Sequence, residues 1–108
     1  MDVHHHLDIA PSTDGDGRQV LVLAGDVDLT TVPGLSARVL GLARPGSTVV
    51  LDLTDVRFVD SPGLGAIIHC HLRLAEDDTD LVLRSPQPQV RELFDLVQLG
   101  SLLEIEPR

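Results

Sequence analysis

The sequence predicts an α/β domain spanning residues 1–108, a mixed β-sheet with helices mainly on one face. Three observations carry this. Short strand-like runs alternate with segments whose apolar residues recur at helical spacing. The run Val49 to Leu53 is apolar at four of five positions, as expected for a strand covered on both sides. An opening pair of strands with a Gly- and Asp-rich connection precedes the alternation, so the sheet begins as a hairpin and continues through helical crossovers.

Taken in order, Val3 to Ile9 reads as a first strand, and Pro11 to Gly17 as a turn. Arg18 to Ala24 is a second strand, paired with the first. Thr30 or Thr31 is placed to cap a first helix, with Pro33 in its first turn. Val32, Leu35, Val39 and Leu42, helped by Leu40 and Ala43, form its stripe, and Arg44-Pro45-Gly46 ends it. Gly41 weakens that helix. The central strand runs from Ser47 to Leu53, and Phe58 and Val59 are a short apolar return to the core. Ser61 is expected as the N-cap of a second helix, with Pro62 at its first position and Leu64, Ile67, Ile68, Cys70, Leu72, Leu74 and Ala75 along it. The acidic run Glu76-Asp77-Asp78 is a solvated turn. Asp80 to Arg84 is a fourth strand. Ser85-Pro86 repeats the Ser-Pro start, and Val90, Leu93, Phe94 and Val97 mark a third helix closed by Gly100. Leu102 to Ile105 is a candidate edge strand.

Composition excludes several roles. The chain of 108 residues holds 17 acidic residues and 8 arginines, no lysine, and a net charge of −9. Such a chain repels nucleic acid and anionic lipid. With Phe58 and Phe94 as its only aromatics it has no platform for stacking bases. Cys70 is the sole cysteine, so no internal disulfide forms, and its apolar helical setting suits a reducing, cytoplasmic compartment. The N-terminal residues lack the pattern of a secretory signal, and no apolar run has the length of a membrane span.

Candidate chemistry centres on Ser61. A hydroxyl at a strand-to-helix junction lies near free N–H groups and the positive end of the helix dipole, a setting that favours a phosphate. Asp60, and Asp28 across the loops, oppose such a charge. From spacing alone, capping is the reading Ser61 supports. Asp28, Asp52, Asp55 and Asp60 could gather for a magnesium ion, but aspartates at strand ends more often cap turns. In a strand, His4 and His6 share a side and His5 does not. His69 and His71 stand two apart on a helix, so neither group supplies convergent metal ligands. No lysine-bearing phosphate loop is present. Val59 and Gly63 flank Ser61 where a hydrolase nucleophile elbow has two glycines. An enzyme is therefore not expected, and no cofactor or metal is assigned.

Three stretches carry a family resemblance: Leu23 to Leu29, Val50 to Gly65 with its Asp60-Ser61-Pro62-Gly63-Leu64-Gly65 run, and Ser85 to Gly100. Together, and in this order, they make the chain resemble the STAS domain family, specifically the small stand-alone anti-sigma factor antagonists of bacteria. The resemblance covers essentially the whole chain and implies a single STAS domain with the SpoIIAA-like fold. It implies that Ser61 is phosphorylated by a partner anti-sigma factor that is also a serine kinase. The unphosphorylated antagonist binds that partner and frees a sigma factor, the phosphorylated form lets go, and a phosphatase resets it. Asp28, Asp60, Ser61, Pro62, Gly63 and Leu64 would then form the partner-binding surface, and the phosphoryl chemistry with its magnesium would belong to the kinase. Transcription control in a bacterial stress response, a cytoplasmic location and room for a homodimer on the open face of the sheet follow from the same reading. Pro62 departs from the better-known members, which carry Ser or Thr there. The alternative is a STAS scaffold or adaptor subunit, never phosphorylated, in a multiprotein transport or stress-sensing complex.

Overall fold

The computed structural model describes residues 6–107. Its elements are β1 (Leu7–Thr13), β2 (Gln19–Val27), α1 (Val32–Leu40), β3 (Thr48–Val59), α2 (Ser61–Glu76), β4 (Asp80–Arg84), α3 (Pro88–Leu96), a 3-10 turn at Leu99–Ser101, and β5 (Glu104–Glu106). The sheet runs β1-β2-β3-β4-β5, with β1 antiparallel to β2 and every other pair parallel. This is the mixed sheet the sequence predicts. The candidate edge strand is present as β5, beginning two residues later than expected.

Alternation along each strand decides the core. Leu21 and Leu23 of β2, Val49, Leu51 and Leu53 of β3, and Leu81 and Leu83 of β4 face one side. There they join Leu35 and Val39 of α1, Ile67 and Leu74 of α2 and Phe94 of α3 in one buried cluster. All three helices therefore serve the same face.

The opposite face is partly open, as expected, with Val22 and Asp52 half-buried on it. Val20, Val50 and Val82 form a second cluster there, no more than 5 % exposed. Strand alternation places Arg18 and Arg84, two residues from Val20 and Val82, on that face. They join Asp14 and Glu106 in a closed ion network. Arg18 Nη1 lies 3.0 Å from Glu106 Oε2, Arg84 Nε lies 3.2 Å from Glu106 Oε1, and both guanidiniums lie 2.9 Å from Asp14 Oδ2. The network ties the β1–β2 turn to the far edge strand.

Element boundaries shift for local reasons. Among the described residues the first strand spans Leu7–Thr13; the expected start at Val3, with His4 and His5, lies outside them. The strand runs on through Pro11. An edge strand tolerates a proline, because its outward side needs no N–H. The turn shrinks to Asp14–Gly17, where the Asp14 carboxylate accepts from the N–H groups of Asp16 and Arg18 at 3.1 and 3.2 Å. Helix α1 stops at Leu40 and Gly41 caps it, so Leu42 and Ala43 leave the helix yet still pack on the core. Helix α3 starts at Pro88, not at Ser85-Pro86. Ser85 instead turns at φ 56° and donates its N–H to Glu106 O, 2.8 Å away.

The largest difference concerns β3. It does not end at Leu53 but continues to Val59, following β2 through two register shifts. Its last half outruns β4, whose pairing with β3 ends at Asp52 and Arg84. Side chains at the start of α3 take over this edge: Gln87 Nε2 donates to Thr54 O at 2.9 Å, and Gln89 Nε2 to Arg57 O at 3.3 Å.

The network sets an acid limit. Burial pushes the Asp14 carboxyl up, but hydrogen bonds from Arg84 and Arg18 outweigh it and hold the group at about 2. Arg18 and Arg84 likewise hold Glu106 below its usual range, against burial. Depressed carboxylates stabilise the fold fully above their unfolded values near 4, and that stabilisation is lost as pH falls toward about 2. In urea titrations across this window, Asp14→Asn and Glu106→Gln are expected to unfold earlier than the wild type at pH 7. They are also expected to lose less stability on acidification; curves parallel to the wild type would contradict this.

Candidate functional site at the start of the second helix

The parallel strands β2 and β3 end at the same edge of the sheet, where α1 and α2 begin. Two loops meet there: Asp28–Thr31 after β2, and Asp60 after β3. Backbone contact is close. Asp60 N donates to Val27 O at 3.2 Å, and a Cβ on Gly63 would lie 2.2 Å from the same oxygen. The first turn of α2 therefore rests directly on the end of β2, and only glycine fits at 63.

Asp60, not Ser61, caps α2. Its backbone is extended, at φ −93° and ψ −179°, and its Oδ1 accepts from Gly63 N at 2.7 Å. A carboxylate at this position reaches the N–H three residues on and also suits the helix dipole. Oδ2 of the same group accepts from Leu29 N at 3.2 Å. One side chain thus joins the helix start to the loop after β2. Ser61 falls at the first helical position and Pro62 at the second, one place later than expected for each. The Ser61 side chain is exposed, and its hydroxyl has no hydrogen-bond partner among the described residues.

Asp28 is 3 % exposed. Its Oδ1 accepts from Thr30 N at 2.9 Å, Thr30 Oγ1 at 2.7 Å and Thr31 N at 3.2 Å. Thr31 precedes α1 but makes no capping bond with its side chain; its Oγ1 donates to Asp26 O at 2.8 Å and accepts from Asp28 N at 3.0 Å. Thr31 holds the expected cap position without the expected side-chain bond, and Asp28 organises the loop before it.

These positions divide the expected partner surface. Asp28, Gly63 and Leu64 are buried and shape the site from beneath, Asp60 is half-buried, and Ser61 and Pro62 are exposed. Two apolar residues that sequence reasoning did not place here flank them: Leu29, 68 % exposed, and Phe58, 47 % exposed. Phe58 was expected in the core with Val59. The register shift just before the Asp26–Phe58 pair breaks the alternation, so only Val56 and Val59 are buried. Leu29 had a visible signal, an apolar residue set between loop formers Asp28 and Thr30. Phe58 had none, because a bulge depends on the partner strand.

The expected welcome for a phosphate is narrower than helix geometry alone suggests. Pro62 has no N–H, Gly63 N is held by Asp60, and Leu64 N donates to Asp60 O at 2.9 Å. The nearby cation, Arg57, is exposed and only 3.4 Å from Asp26. For a metal, the carboxylates of Asp52 and Asp60 are engaged with local donors, and among the described residues no three acidic, histidine or cysteine side chains converge. His69 and His71 lie eight and ten residues along α2 from Ser61, roughly 12 and 15 Å down its axis, out of reach of its hydroxyl. Among the described residues no helix is long and apolar enough to cross a membrane.

The scaffold is a five-stranded mixed sheet with three helices on one face and an exposed serine at the start of the helix after its central strand. The family model described as "Mlab, STAS domain" matches residues 12–104, and the chain belongs to the STAS family. Its relatives include the anti-sigma-B factor antagonists of Bacillus subtilis, 27 % identical over 80 % of this chain and 79 % of the relative, and of Staphylococcus epidermidis, 29 % identical over 93 % of each. Anti-sigma factor antagonists are regulatory proteins, not enzymes. Among solved structures, an anti-sigma factor antagonist from Mycobacterium paratuberculosis superposes with a TM-score of 0.80 at 23 % identity, covering 100 % of this chain and 92 % of that one. The unphosphorylated form of SpoIIAA gives 0.69 at 20 % identity, covering 94 % and 89 %. The fold is therefore SpoIIAA-like.

The Gly63 contact yields a paired expectation. Gly63→Ala forces the start of α2 off β2 and destabilises the protein by about 1–3 kcal/mol. Gly65→Ala, with nothing within 4 Å of its Cβ position, is neutral or stabilising. Equal urea midpoints for the two variants would contradict the close approach.

Proposed function

We propose that this protein is an anti-sigma factor antagonist switched at Ser61. In its unphosphorylated form it binds an anti-sigma factor that is also a serine kinase, and so frees a sigma factor for transcription. Phosphorylation of Ser61 ends that binding, and a phosphatase restores it. The observation that carries this reading is the exposed, unbonded Ser61 hydroxyl, with exposed Leu29 on the loop bonded to Asp60 and exposed Phe58 three residues earlier in the chain. Isolated exposed apolar residues are ordinary, but an aromatic and a leucine on the segments around an available hydroxyl form the kind of apolar anchor that dominates protein interfaces. The names of the relatives supply the class of partner.

The kinase supplies ATP and magnesium. The Ser61 Oγ–P bond forms as the bond from the γ-phosphorus to the leaving ADP oxygen breaks, and the hydroxyl proton passes to a base of the kinase. The product carries roughly two added negative charges next to the half-buried Asp60 carboxylate. A partner matched to the neutral serine must then desolvate that charge without a cation to pair it, which is costly. The same reading places the protein in the cytoplasm with its partners.

A second reading, an adaptor subunit that is never phosphorylated, is favoured by the Mlab description of the matching family model and by Pro62 beside Ser61. Mass spectrometry of the protein from its host across growth and stress conditions separates the two. A phosphate on Ser61 that varies with condition is expected; a fully covered peptide that is always unmodified would establish the adaptor reading. In calorimetry against the anti-sigma factor, Phe58→Ala and Leu29→Ala are each expected to cost about 1–2 kcal/mol of binding. Ser61→Asp is expected to weaken binding more than either, and affinity equal to the wild type would contradict the switch.

A further inference from the structure

The geometry points to the Asp60 carboxylate as the group that reads a phosphate on Ser61. The phosphate takes the Gly63 N–H from Asp60, and Asp60 then releases Leu29, unfastening the loop between β2 and α1. This deepens the Ser61 switch proposed above and rests on it for its occurrence in the cell.

The argument begins with the available donors. A phosphoryl group on the first residue of a helix ordinarily finds several first-turn N–H groups. Here Pro62 contributes none, and Leu64 N is already bonded to Asp60 O. Gly63 N is held by Asp60 Oδ1 at 2.7 Å. The remaining first-turn donor is the N–H of Ser61 itself. That one N–H cannot satisfy three oxygens and roughly two charges, so the phosphate competes with Asp60 for Gly63 N as well.

Competition and repulsion act on the same carboxylate. Phosphate and Asp60 are adjacent in sequence, and both are anionic. Asp60 holds Leu29 N at 3.2 Å, the longer of its two bonds, so a carboxylate displaced from Gly63 N and repelled by the phosphate lets go of it as well. The rest of the loop stays fixed, because Asp28 and Thr31 bind it from within. The change is therefore local to Leu29, whose exposed apolar side chain stands on the loop bonded to Asp60. Phosphorylation would then alter the partner surface in two ways: charge at Ser61 and a displaced apolar anchor at Leu29.

Pro62 strengthens the coupling by withholding a donor. With an N–H at 62, the phosphate has a second free donor beside that of Ser61, and the bridge from Gly63 through Asp60 to Leu29 stands. Pro62→Ala should therefore separate the phosphate from Leu29 without removing either.

The experiment uses the full chain with phosphoserine installed at position 61 during translation, so no kinase is needed, and reads backbone amides by NMR. In the phosphorylated protein the Leu29 amide is expected to exchange roughly tenfold faster than in the unmodified chain, while the Gly63 amide stays protected. Unmodified Asp60→Asn should reproduce the Leu29 change. In the Pro62→Ala background phosphorylation should change Leu29 exchange less than about twofold. Leu29 exchange and chemical shift unchanged by phosphorylation in the wild-type sequence, with the fold intact, would overturn the inference. So would an equal response with and without Pro62. An always unmodified Ser61 in the host overturns the proposed function instead and leaves these readouts as they are.

Discussion

The bridge made by the Asp60 carboxylate is the interaction on which the functional end of the molecule depends. One oxygen satisfies Gly63 N at the start of α2, and the other satisfies Leu29 N in the preceding loop. Its own N–H is bonded to Val27 O. The end of β2, the loop that follows it and the start of α2 are thereby held by one residue, and the Ser61 hydroxyl next to it is exposed. A serine cap would have turned that hydroxyl inward onto backbone donors. Capping by the neighbouring aspartate leaves it available for chemistry.

Beneath this surface, packing fixes what the bridge orients. Gly63 allows the helix start to touch β2, and buried Asp28 fastens the loop after β2 through Thr30 and Thr31. The motif residues thus act mainly as a mount. Contact with another molecule falls to the exposed residues around them. A rigid mount lowers the entropy lost on binding, because the exposed groups are already placed.

The far face of the sheet buries apolar side chains without a second layer of helices. Val20, Val50 and Val82 are buried there with Val22 packed against them, and an ion network of Arg18, Arg84, Asp14 and Glu106 joins the two ends of the sheet on the same side. Arginine suits the task, since its planar head pairs with two carboxylates. The three valines are buried within the chain itself.

The sequence alone determined the order of strands and helices, the mixed sheet with helices on one face, and the junction at Asp60-Ser61-Pro62. Each rests on local periodicity or on residues adjacent in the chain, such as the apolar run from Val49 to Leu53. Only the tertiary structure decided that Asp60 caps instead of Ser61, that Phe58 and Leu29 face outward, that β3 extends to Val59, and that four charged residues join the two ends of the sheet. Those outcomes depend on partners distant in sequence. Arg18 meets Glu106 across 88 residues, and Asp60 meets Leu29 across 31. The side of the sheet that Phe58 takes is set by a register shift against β2, which no pattern within β3 itself encodes.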